Sequence, residues 1–105
     1  MNKYIIITTL CDKEDIANKI IKTLLDKRLI ADSQVSKVHS QYWWNNNLEE
    51  CDEYKLEFRT KINLFHEIEN EIKKLHDYDV AEISCYEIVN ASPEFYKWID
   101  KSIPK

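Results

Sequence analysis

The side chains able to hold a metal or move a proton are few: Cys11, Cys51 and Cys85, His39, His66 and His76, and scattered carboxylates. The densest grouping is His76-Asp77-Tyr78-Asp79-Val80-Ala81-Glu82, in which one imidazole and the carboxylates of Asp79 and Glu82 lie close along the chain. Imidazole favours Cu(II) or Zn, whereas soft thiolates favour Cu(I), so this grouping points to a borderline cation or a small effector. The same residues have a structural reading, with His76 as the C-terminal cap of a helix and Glu82 anchoring a loop through backbone bonds. Cys11 falls where a first strand meets a first helix. A helix N-terminus lowers a thiol pKa, which would make Cys11 the most reactive of the three; the alternative is a small half-buried residue in a tight turn. Cys85 reads as core packing, and Cys51 follows a turn, where surface and subunit contact are equally open. His39 shares a strand face with Lys37 and Trp43, a position suited to a subunit contact, and His66 is expected to be solvated. The candidate metal ligands are therefore His76, Asp79, Glu82, Cys11 and His39.

Other chemistries find no support. The chain has no glycine, which makes a phosphate-binding loop improbable, and no Ser-His-Asp or paired-metal arrangement is apparent. Acylphosphatase-type catalysis needs an anion cradle with Arg and Asn near the first loop, and Thr8-Thr9-Leu10-Cys11-Asp12 offers neither Gly nor Arg. Neither an enzyme nor an organic cofactor is expected. With a net charge of −4 and Arg28 and Arg59 as the two arginines, there is no basic stripe for nucleic acid. No apolar run approaches the roughly 18 residues of a membrane span. Met1–Thr9 is too short to be a signal peptide and lacks a cleavage site. Three widely spaced cysteines without a C-x-x-C pair argue against a disulfide scaffold or zinc knuckle and suit a reducing cytoplasm. A chain of 105 residues is expected to form a single domain over 1–105.

The elements that must position these residues follow from periodicity. Tyr4–Thr9 is a β-branched run, as for a central strand. Asp12 is expected to cap a helix with stripe Ile16, Ala17, Ile20, Ile21, Leu24 and Leu25, ending near Lys27-Arg28. Asn63 is expected to cap a second helix with stripe Leu64, Phe65, Ile68, Ile72 and Leu75. Val80–Val89 reads as a last strand, and Ser92-Pro93 opens a final short helix. Between the helices runs Gln41-Tyr42-Trp43-Trp44-Asn45-Asn46-Asn47, the tip of a hairpin with Val35–Trp44 entering and Cys51–Thr60 leaving. Asparagine tolerates the left-handed backbone region such a turn demands. Strand neighbours point to opposite sides, so Trp43 and Trp44 cannot both enter one core. Ten strand residues span about 33 Å, more than the usual strand, and an overlong aromatic hairpin is best covered by further copies of the chain. The order β-α-β-β-α-β plus a terminal helix is the split βαβ, ferredoxin-like arrangement, α+β in class, with both helices on one face of an antiparallel sheet. The opposite face is left bare, and Trp43 is expected to be buried there against other subunits.

Several stretches together resemble one family. Lys27-Arg28-Leu29-Ile30-Ala31, Tyr42-Trp43-Trp44, Leu48-Glu49-Glu50, Lys61-x-x-Leu64-Phe65, His76-x-Tyr78-Asp79-Val80-x-Glu82-Ile83 and Phe95-Tyr96-Lys97-Trp98 look like the CutA-type divalent-cation tolerance proteins, in the right order from about Tyr4 to Ile99. The resemblance implies a ferredoxin-like fold with an extended hairpin and a homotrimer whose interface includes Tyr42, Trp43 and Trp44. It also implies a cytoplasmic role in tolerance or binding of copper and other divalent ions. It carries a further likeness to the PII signalling trimers, which bind small effectors between subunits. This chain departs from the family pattern in places. Asp32 stands where family members often carry Cys, and Ser36-Lys37 replaces a usual Pro-Gly. Asn46 takes the place of the hairpin-tip Gly, and Asp77 and Ala81 stand where Pro is usual. A thiolate copper site therefore does not carry over directly.

Overall fold

The computed structural model describes residues 3–104; Met1, Asn2 and Lys105, the ends of the expected 1–105 span, lie outside the described residues. The elements are β1 (Tyr4–Cys11), α1 (Glu14–Asp26), β2 (Asp32–Trp44), β3 (Asn47–Lys61), a 3-10 turn (Ile62–Leu64), α2 (Phe65–Leu75), β4 (Ile83–Glu87) and α3 (Pro93–Ser102). The sheet order is β2-β3-β1-β4 with every neighbouring pair antiparallel. This is the mixed α+β arrangement expected from the element order.

Strand alternation builds the core. Ile5, Ile7 and Thr9 of β1 lie opposite Thr60, Phe58 and Leu56 of β3, and all of these side chains are buried. They face the helix stripes Ala17, Ile20 and Leu24 of α1 and Ile68 and Ile72 of α2. Burying a side chain of the Leu, Ile or Phe kind contributes about 1.5–3 kcal/mol, so this layer is the main source of stability. Ile99 and Ile103 join the same cluster from the C-terminal end. There Tyr96 stacks on Tyr4 at 4.4 Å between ring centroids, and the Tyr4 hydroxyl donates to Asp100 at 2.9 Å.

A chain without glycine must place other residues in the left-handed region, and three do so: Arg28, Asn45 and Asn46, with φ of 57°, 50° and 63°. Arg28 follows the end of α1 and completes a two-bond helix stop. Its N–H reaches Leu25 O at 3.0 Å, and Leu29 N–H reaches Leu24 O, also at 3.0 Å. Leu24 and Leu29, the apolar pair flanking this stop, are both fully buried. Asn45 and Asn46 form the two-residue turn of the hairpin, where positive φ at both positions matches the twist of the flanking strands.

Some expected boundaries move. Asp12 does not cap α1: Lys13 occupies that position without a side-chain cap bond, and its ammonium pairs with Asp77 and Asp12. Asn63 does not cap α2 either. It lies inside the 3-10 turn that runs directly into the helix, which leaves Leu64 at the boundary and no place for a side-chain cap. The last strand covers Ile83–Glu87 rather than Val80–Val89, because its ladder with β1 stops at Thr9↔Ile83. The next carbonyl along β1, Leu10 O, accepts from the His76 ring instead. Ser92 caps α3 as expected, accepting from Phe95 N–H at 3.3 Å, with Pro93 at the first helical position.

The hairpin is longer than expected, paired from Asp32↔Arg59 to Trp44↔Asn47. Strand β1 accompanies β3 only as far as Tyr54. Beyond that point β2 and β3 continue as a two-stranded ribbon, and the molecule measures 45 × 26 × 22 Å. On the ribbon Trp43 is 73% exposed, Leu48 65%, and Tyr42 and Trp44 42% each. The two indoles take opposite faces, as alternation requires, but the expected side is corrected. Val35 sits opposite the core residue Leu56, so the odd-numbered residues of β2, Trp43 among them, lie on the helix side. Tyr42 and Trp44 lie on the bare face.

Candidate functional site

The residues singled out for chemistry do not converge. His76 follows α2, and its side chain is 1% exposed. Its Nε2 is 2.6 Å from Leu10 O, and its Nδ1 is 3.2 Å from Tyr78 N. A carbonyl can only accept and an amide N–H can only donate, so the proton sits on Nε2 and the lone pair of Nδ1 is already used. His76 thereby staples the loop after α2 to the end of β1. Its ring lies against Tyr78 at 4.6 Å between centroids.

Glu82 turns away from that ring toward the sheet. Its carboxylate accepts from Thr8 Oγ1 at 3.2 Å and Ser84 Oγ at 2.8 Å. Asp79 is exposed on the intervening loop. Cys11 is fully buried on the helix side of the sheet, opposite Tyr54. Burial, aided by the Asp12 carboxylate, pushes its thiol up to about 11, the reverse of the lowering expected beside a helix N-terminus. The helix begins two residues too late, and the apolar core disfavours the thiolate. His39 stands on the ribbon with Nδ1 2.7 Å from Asp52 Oδ1 and Nε2 3.6 Å from Glu50 Oε2. The Asp52 bond raises its pKa above the ordinary imidazole value. Among the described residues, no group of three or more His, Cys, Asp or Glu side chains is placed to hold a metal ion.

A second arrangement is clearer than the first. Glu53, on the bare-face side of β3, is 6% exposed, and its Oε2 accepts from the Tyr78 hydroxyl at 2.7 Å. Burial first and the neighbouring carboxylate second hold the Tyr78 phenol far above its ordinary pKa, so it stays a donor. Together with Leu10, Tyr42 and Trp44 these residues line a cleft of about 780 Å³ between the ribbon and the loop after α2. Neither Tyr78 nor Glu53 stood out as a chemical residue in the sequence. Tyr78 was visible only as part of the His76 motif, and Glu53 only as one charge among several alternating along β3.

Asp32 also finds a role. Its carboxylate accepts from Arg59 Nε at 2.9 and 3.1 Å, across the first rung of the β2–β3 ladder. The residue that replaces a possible thiolate ligand is thus a partner for a largely buried guanidinium. No helix among the described residues is long and apolar enough to cross a membrane.

Comparison with known proteins covers nearly the whole chain. Residues 4–102 match the profile described as CutA1 divalent ion tolerance protein. The divalent-cation tolerance protein CutA of Pyrococcus horikoshii is 35% identical over 101 residues, which is 96% of this chain and 98% of that protein. Its counterpart in Archaeoglobus fulgidus is 31% identical over 103 residues, 98% and 99% of the two chains. Among solved structures, the periplasmic divalent cation tolerance protein CutA from Archaeoglobus fulgidus superposes with a TM-score of 0.92 at 28% identity, covering 95% of this chain and 98% of that one. CutA1 from Pyrococcus horikoshii superposes with a TM-score of 0.90 at 32% identity, covering 96% and 99%.

Proposed function

This chain belongs to the CutA1 divalent ion tolerance family, and from that premise we propose that it is a cytoplasmic homotrimer that acts in the response to divalent metal ions and binds copper or another divalent ion weakly. The observation that carries the reading is the projecting ribbon. A two-stranded ribbon is marginal in water by itself. This one exposes Tyr42, Trp43, Trp44 and Leu48 together, a surface that further copies of the chain would cover.

Of the candidate ligands, His39 is an exposed imidazole with carboxylates beside it, Asp52 and Glu50, and an imidazole suits Cu(II) or Zn rather than Cu(I). No three such groups among the described residues converge as a ready-made site, in keeping with weak binding through this one imidazole. A thiolate site is a poor fit, since Cys11 is buried with a raised pKa. Three free cysteines support a reducing compartment. We propose a binding role rather than an enzymatic one.

Native mass spectrometry during Cu(II) and Zn titration tests the proposal. The expected result is a trimer that takes up about one ion per subunit and loses it on His39→Ala. A folded single chain in dilute solution, or uptake indifferent to that substitution, overturns it. A second reading is a PII-like trimeric module that takes a small effector in the cleft between subunits; the groove of about 780 Å³ beside the ribbon of each chain would form one wall of such a cleft. That volume lies within the range of small-molecule sites.

A further inference from the structure

The ribbon carries apolar side chains on both faces, and the two faces differ in shape. On the helix side Trp43 and Leu48 lie directly opposite each other on the ladder and project together as a knob, both largely exposed. On the bare-face side Tyr42 and Trp44 form one wall of the cleft of about 780 Å³, and the loop with Tyr78 and Val80 forms the other. Val80 is 70% exposed there. That loop is held from two directions, by the His76 ring on Leu10 O at 2.6 Å and by the Tyr78 hydroxyl on Glu53 at 2.7 Å. The cleft is therefore a preformed socket, which lowers the ordering cost of filling it.

Knob and socket match in size and in polarity. The cleft volume suits a group as large as a small ligand, and an indole beside an isobutyl group is of that order. An indole N–H can only donate, and it needs an acceptor once buried. The charged side chains bordering the cleft are all carboxylates, the exposed Asp79 among them. Glu50, next along the knob's own face, already accepts from Gln41 at 3.1 Å.

The two faces of a ribbon point in opposite directions, so a chain cannot seat its own knob. A second copy that receives the knob has its own knob pointing away, and the first copy's socket faces a third copy. Reciprocal exchange between two copies is thereby excluded. The contact is head-to-tail, which closes into a ring or runs on as a filament. Three copies make the smallest such ring.

We propose that Trp43 and Leu48 of each copy seat in the cleft of the next copy, against its Trp44, Tyr78 and Val80. The proposal rests on the trimer reading and names the surface of the neighbouring copy that receives the ribbon.

Cross-linking of the full chain tests it. Under diamide the double variant Leu48→Cys with Val80→Cys should give a covalent ladder that stops at three chains. Each single variant should link no more than the parent, whose three free cysteines give the background. An equimolar mixture of the two single variants should give covalent pairs. Val80→Asp lies at an exposed loop position, so its circular dichroism should match the parent while the trimer dissociation constant rises roughly tenfold or more. A trimer by solution mass that forms no ladder, or that is indifferent to Val80→Asp, overturns the knob-and-socket contact while the trimer stands. Efficient linking by Leu48→Cys alone places knob against knob and overturns it likewise. Folded single chains in the parent overturn both.

Discussion

A buried imidazole with both nitrogens engaged cannot be lost cheaply. Replacing His76 by Leu removes the donor to Leu10 O and the acceptor for Tyr78 N–H, in a side chain only 1% exposed. The expected cost is about 2–3 kcal/mol in urea denaturation, with loosening of the loop that carries Tyr78 and Asp79. An unchanged unfolding midpoint would show that the staple contributes nothing. His39 is the opposite case, exposed and held by Asp52 and Glu50. Its folded pKa lies above the ordinary value of 6.5, chiefly through the Asp52 bond. The charged ring therefore stabilises the ribbon fully below the unfolded pKa, and that contribution is lost as pH rises through the folded pKa. NMR titration should place the His39 midpoint above 6.5, and Asp52→Asn should lower it. The same protonation competes with any divalent ion at this imidazole, so uptake should strengthen as pH rises.

Strand and turn residues act through the ladders they start and end. Asn45 and Asn46 both sit at positive φ, the conformation a two-residue hairpin turn requires. Asn46→Gly should stabilise the hairpin by up to about 1 kcal/mol, read as a raised melting temperature, because glycine meets no Cβ penalty there. At the other end, Arg59 has Asp32 as its carboxylate partner, while its Nη2 is buried without a hydrogen bond among the described residues. Asp32→Ala would strand a charge whose side chain is 12% exposed. A loss of about 1–3 kcal/mol is expected. The helix ends were legible only in part. Ser92-Pro93 was read correctly because a hydroxyl cap followed by proline has one sensible geometry. Asp12 and Asn63 misled because a side chain suited to capping caps only where the backbone happens to start the helix, and here packing started it elsewhere.

For the molecule as a whole, the ribbon divides the two indoles between different surroundings. In the single chain Trp43 is 73% and Trp44 42% exposed, so neither is secured by its own fold. In the proposed trimer, truncation of an indole buried by a neighbouring copy should cost about 3–5 kcal/mol. Trp43→Ala and Trp44→Ala are to be compared by denaturation and by solution mass. A substitution that lowers both marks the subunit contact. If neither changes either quantity, the ribbon is not the assembly surface.

The sequence by itself determined the element order, the split βαβ topology, the alternation along the hairpin and the family kinship. All of these rest on periodicities of 2 and about 3.6 and on short stretches of chain. The match over residues 4–102 bears the kinship out. Only the tertiary structure decided what the chemical residues do. It sent Cys11 into the core, turned His76 into a staple and set Glu53 against Tyr78 across 25 positions of sequence. Spacing along a chain fixes which face a side chain takes. Its protonation and partners depend on what distant elements bring to that face.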